Sequence, residues 1–129
     1  MTPSPTELAY AAGFLDGEGY IAFASRQTAL SKRISAVVSI TNTNRLVLDW
    51  FAVVFGGGVH KNGKGLPPRK QAWRWMISSS KAEAFLLQVR PFLRVKLKQA
   101  DLVLNFREQN LETSITSMRA LNQRGVSSF

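Results

Sequence analysis

Two acidic side chains set two residues apart, Asp16 and Glu18, raise the first chemical question in this sequence. They fall in Asp16-Gly17-Glu18-Gly19, at the end of a segment that reads as a helix. Ser4 can serve as its N-cap, Pro5 suits its first position, and Glu7 sits where a capping box needs an acid. The body from Leu8 to Leu15 is apolar. Glycines stop helices, so the spacing leaves two carboxylates at a helix C-terminus. That end of the dipole disfavours negative charge, and fold stability alone gives no reason for the placement. A bound cation does. The chain has no cysteine and one histidine, His60, so a metal would be held by oxygen ligands. That donor chemistry suits magnesium or a similar hard divalent ion. Ala9, Ala11, Ala12 and Gly13 form a small-residue run that lets a second helix approach closely.

The charge balance names a class of partner. Seventeen Lys and Arg against eight Asp and Glu give a net charge of +9, which calls for a polyanion such as nucleic acid or an anionic membrane surface. No basic amphipathic helix of the membrane-surface kind stands out, no run of about 18 apolar residues is present, and the start lacks a signal-peptide pattern. An intracellular location is expected, consistent with the absence of cysteine. With 45% hydrophobic residues in 129, the chain can build a core, and residues 1–129 are expected to form one domain.

The positioning elements follow from periodicity. Tyr20 to Arg26 and Ile34 to Thr41 read as strands joined by a polar loop, Gln27 to Arg33. In the second strand Ile34, Ala36, Val38 and Ile40 take one face and Ser35, Val37 and Ser39 the other. Leu46 to Phe55 has helical spacing and stops at Gly56-Gly57-Gly58. Val59 to Asn62 and Lys70 to Ser78 form a second hairpin around a glycine- and proline-bearing turn, with Trp73, Trp75 and Ile77 on one face. Ser79 or Ser80 caps a third helix to Val89, with Glu83 completing a box. Phe92 to Gln109 is expected to be mostly helical, with Leu97, Leu102, Val103 and Phe106 buried. Ser117 to Asn122 can form a short last helix, and Val126 to Phe129 is expected to fray. The order αββαββα defines an α+β domain with one antiparallel sheet and helices on one face.

AAGFLDGEG, residues 11–19, resembles the motif of the LAGLIDADG homing endonucleases. Ala12, Gly13, Asp16 and Gly19 match directly, Glu18 holds the final acidic position, and Ala11, Phe14, Leu15 and Gly17 are variants. ITN at 40–42, FGGG at 55–58 and PFLRVKLKQADLVL at 91–104 extend the resemblance over nearly the whole chain. It implies a saddle-shaped sheet on double-stranded DNA. One motif per chain implies a homodimer, with Ala12, Gly13 and Asp16 at the interface of the motif helices. It further implies metal-assisted phosphodiester hydrolysis at a long pseudo-palindromic site. Glu18 and the Gly17 carbonyl would face the metal, and Lys96 would sit near the scissile phosphate. Asn42 stands where the family often has a solvent-contacting Gln. Asn42 or Asn44 could equally cap the second helix.

DNA contacts are expected from the sheet, since a two-stranded ribbon fits the major groove. Arg26, Ser35, Ser39, Lys61 and Arg74 are the candidates, with Lys32 and Arg33 in the loop. His60 reads as either a DNA contact or a core residue. The alternative function is a non-cutting binder, either an intron-RNA maturase or a DNA-binding regulator, both of which occur in or near the family. Glu18 together with Lys96 favours the enzyme.

Overall fold

The structure is a computed structural model that describes residues 2–27, 29, 32–106 and 111–123. Helix α1 spans Pro5–Glu18, and the expected box forms at its start. The Ser4 hydroxyl accepts from the Glu7 amide at 3.2 Å, and the Glu7 carboxylate accepts from the Ser4 amide at 3.0 Å. Strands β1, Gly19–Gln27, and β2, Lys32–Asn42, follow directly. Lys32 and Arg33 thus belong to a strand and not to the loop, because the antiparallel pairing runs on to Gln27↔Lys32. Helix α2 is Arg45–Phe55, and β3, Gly58–Asn62, pairs with β4, Ala72–Ser78. The sheet order is β1-β2-β4-β3, all antiparallel.

Alternation then sorts the strand residues by face. Ile21, Val38, Ile40, Trp75 and Ile77 face the helices and are fully or almost fully buried. Tyr20, Ser39, Arg74 and His60, which alternate with core-facing residues along the strands and pair among themselves as Tyr20↔Ser39 and His60↔Arg74, look the other way. Trp75 stacks against Phe51 and Phe85 with ring centroids 4.9 and 5.2 Å apart. Its indole N–H donates to the Gly56 carbonyl at 2.8 Å, so the ring is buried with its polar atom satisfied.

The C-terminal third departs from the sequence reading. Helix α3 is Ser79–Val89, and Ser78, not Ser79 or Ser80, is its N-cap, without a side-chain capping bond. A 3-10 turn, Arg90–Phe92, follows at Pro91, and α4 is only Leu97–Asn105. The expected Phe92–Gln109 helix is interrupted because the amides of Arg94, Val95 and Lys96 bond elsewhere, to Asp16. Helix α5, Leu111–Asn122, is longer than the short terminal helix expected. It turns Met118 inward and lays Asn122 along the outer edge of β1, where the Asn122 amide donates to the Ile21 carbonyl at 2.8 Å. Residues 126–129, expected to fray, lie outside the described residues.

Candidate active site

The C-terminal turn of α1 projects two carboxylates in different directions. Helical geometry sets residues two apart on nearly opposite sides, so Asp16 and Glu18 meet different neighbours. Asp16 reaches toward α4. Its Oδ2 accepts from the Arg94 amide at 2.9 Å, and its Oδ1 from the Val95 and Lys96 amides at 3.1 and 2.9 Å. These amides precede the first turn of α4, the positive end of that helix, where an anion is stabilised. Fold stability therefore does explain this acid at the end of α1: it acts as a non-local cap. All three bonds are formed within one chain.

Lys96 closes the same corner. Its ammonium donates to the Asp16 carbonyl at 2.7 Å, one of the last carbonyls of α1, which lack helical partners. The side chain is half-buried. Burial pulls its pKa below the usual lysine value, and the nearby Asp16 carboxylate partly opposes that shift. Lys98, two residues on, is exposed and belongs to another surface beside Asp101.

Glu18 points toward β2. Its Oε2 accepts from the Asn42 side-chain amide at 2.6 Å. Asn42 is itself braced, since its Oδ1 accepts from the Asn44 amide at 2.7 Å. The capping alternatives are thereby separated. Asn44 is the N-cap of α2, accepting from Val47 N at 3.4 Å, while Asn42 turns to Glu18. Glu18 remains exposed, beside the Gly17 carbonyl at the helix end. Gly19 makes the exit possible, because a Cβ there would lie 2.3 Å from Leu15 Cδ1 and 2.6 Å from the Leu15 carbonyl oxygen.

The expected interface residues divide. Ala12 is fully buried in the chain's own core, whereas Gly13 is exposed, and a Cβ added to it would meet nothing within 4 Å. Successive helix residues are about 100° apart, so they cannot share one outward face. The open stripe of α1 is Ala9, Gly13 and Gly17.

On the open face of the sheet, Arg74 donates to the Ser39 hydroxyl at 3.2 Å. Ser39 is buried at 4% exposure, so Arg74 is the accessible member of that pair. His60 lies opposite Arg74, and Ser35 opposite Ala24. Lys61 lies opposite Trp73, which assigns it to the helix-bearing face. Arg26 and Arg33 pair at the far end of the first hairpin, and the side chains of Arg26, Lys32 and Arg33 lie outside the described residues. Sequence reasoning missed Tyr20. It directly follows the motif, is 49% exposed, and stands across from Ser39 on the open face. Counting alternation from Gly19 through the hairpin register would have found it. Arg45 stacks over Trp73 at 4.4 Å and pairs with Asp49 at 3.6 Å.

No protein-family profile matches the sequence, and no curated protein matches it. Solved structures do match the fold. I-Vdi141I, an archaeal intron-encoded homing endonuclease complexed with DNA, aligns with a TM-score of 0.70 at 19% identity, over 96% of this chain and 89% of that one. I-CvuI, a homing endonuclease bound to its target with calcium, aligns at 0.68 and 20% identity, over 90% and 77%. I-SmaMI, a LAGLIDADG homing endonuclease bound to cleaved DNA, aligns at 0.67 and 18% identity, over 99% of this chain but 47% of its own. The chain has the LAGLIDADG homing-endonuclease fold.

Proposed function

We propose that this protein is a divalent-metal-dependent, site-specific double-strand DNA endonuclease that acts as a homodimer. The observation that carries the reading is the last turn of α1, where Asn42 holds Glu18 on the β2 side and Asp16 seats Lys96 on the α4 side, at one end of a sheet whose open face carries Arg74 and His60. The donor atoms fit a hard cation. Glu18 offers a carboxylate and Gly17 a carbonyl, both oxygen. When bound there, such an ion would supply charge neutralisation on the phosphate and an activated water.

The chain's own residues do the remaining work. Asn42 holds one Glu18 oxygen in place. Asp16 fixes the Arg94–Lys96 segment, and that segment fixes Lys96. The Lys96 ammonium, set against the Asp16 carbonyl, would stabilise charge on a phosphate or orient the attacking water. Among the described residues, no three acidic or imidazole groups gather into a cation site. A single chain thus brings one carboxylate, Glu18, beside the Gly17 carbonyl, and a second copy and the DNA phosphates would complete the donor set. The stripe Ala9, Gly13 and Gly17 is open for that copy.

The test is cleavage of a library of pseudo-palindromic duplexes, with and without magnesium, alongside sedimentation with DNA. Cleavage only with the metal, by a protein that sediments as a dimer on DNA, is expected. A monomer on DNA would overturn the shared site. Binding to duplex DNA or intron RNA without any cutting would assign the chain to the regulators or maturases.

A further inference from the structure

The loop joining β3 and β4, residues 63–71, takes no part in the acidic corner but lies near it. Asn62 pairs with Ala72, and Asn42 pairs with Trp73. The loop therefore leaves the sheet at the same end as Asn42, and so as Glu18. Between Asp49 and Glu83 the sequence has no acidic residue. Within that span the loop displays Lys64, Arg69 and Lys70, all exposed. At its centre stands Leu66, 65% exposed and followed by two prolines.

This is a built loop. The Gln71 side-chain amide donates to the Gly63 carbonyl at 3.0 Å and to the Ala72 carbonyl at 2.7 Å, and its Oε1 accepts from the Gly65 amide at 3.2 Å. The Leu66 amide donates to the Lys64 carbonyl at 3.0 Å, and the Arg69 amide to the Leu66 carbonyl at 2.8 Å. The backbones are packed so closely that a Cβ on Gly65 would lie 2.6 Å from Gln71 Cα. Displaying a leucine in water this way adds nothing to the fold. An exposed apolar side chain in a loop that also carries three exposed cations is, however, the chemistry of a wedge against base steps. The cations hold phosphates while the apolar group partly unstacks the bases.

We infer that loop 63–71 deforms the DNA near the cleavage centre. Lys64, Arg69 and Lys70 take phosphates, and Leu66 presses on the base steps between them. The inference rests on the endonuclease reading and adds a specificity device to it. Cutting would depend on how easily those steps deform, with no hydrogen bond to the bases. Flexible TA or CA/TG steps would be favoured over stiff A-tracts.

The experiment uses the full chain and duplexes of identical half-sites with either a TA-containing or an A-tract centre. 2-Aminopurine placed at the central steps reports unstacking. The wild-type protein is expected to raise its fluorescence and to cut the flexible centre faster. Leu66→Ala, an exposed change expected to leave the circular dichroism spectrum intact, should abolish the rise and bring the two cutting rates together. Lys64, Arg69 and Lys70 changed together to Ala should make the logarithmic salt slope of binding shallower by about 3. A Leu66→Ala protein that keeps both the fluorescence response and the rate ratio overturns the inference and leaves the endonuclease reading standing. So does a loop that captures an acidic peptide while DNA unstacking is unchanged. A wild-type protein that binds no duplex at any salt fails the endonuclease reading itself.

Discussion

The last turn of α1 faces two neighbours, and they use its acids differently. On the α4 side, Asp16 is engaged by three backbone amides, and its carbonyl by Lys96. On the β2 side, Glu18 is exposed and held by one amide, that of Asn42. One acid joins distant parts of the chain. The other is steadied but left accessible. The two carboxylates thus separate into one that ties elements together and one left accessible for the proposed chemistry, and the separation is set by which neighbour each meets.

Substitutions can break this comparison. The largest expected effect is on Glu18. Glu18→Gln keeps the shape and loses the charge, so cleavage should fall by orders of magnitude, since metal assistance is worth several kcal/mol. Thermal stability should stay within about 0.5 kcal/mol, as for other exposed sites. DNA affinity in metal-free buffer should hold or rise. Cutting at the parental rate would end the catalytic assignment.

Asp16→Ala should show the reverse pattern. Charge-assisted bonds to three amides are lost, and a destabilisation of about 2–4 kcal/mol is expected in urea unfolding. If Asp16→Ala unfolds like the parent, the division of labour between the two acids is wrong. Asn42→Ala should cost less, about fivefold in cleavage, because a single bond of about 1 kcal/mol orients Glu18. Its binding should be unchanged, and Asn42→Gln should partly restore cutting.

The smallest effect is a titration. Burial lowers the Lys96 pKa and Asp16 partly opposes this. The folded pKa therefore lies below the unfolded one. The strain of keeping Lys96 charged is present at neutral pH and is relieved as pH rises through the folded pKa, so this residue favours folding at alkaline pH. Nuclear magnetic resonance of the Lys96 side chain should show it losing its proton below the usual lysine range. In Asp16→Asn it should do so lower still. A normal Lys96 titration would remove the half-buried corner.

Much of this architecture was legible because its causes are local. The Ser4–Glu7 box, the alternation of Val38, Ile40, Trp75 and Ile77, and the helical spacing that includes Val47 and Phe51 all speak within a few residues. What escaped has distant causes. The break before α4 is set by Asp16, 78 to 80 positions earlier, so the apolar periodicity from Phe92 onward gave no warning of it. The roles of Asn42 and Asn44 depend on which one Glu18 reaches. Helix α5 hides because its inward residues, Ser114 and Met118, make a weak apolar stripe.

The span of the Asp16 contacts also bears on biosynthesis. Glu18 leaves the ribosome long before Lys96 exists. At about 5–20 residues per second, the lag is about 4–16 s. Until then the Arg94–Lys96 amides are missing and the corner cannot form. A truncated or stalled product that ends before residue 94 would carry the whole acidic motif yet lack the lysine and the amides that seat it.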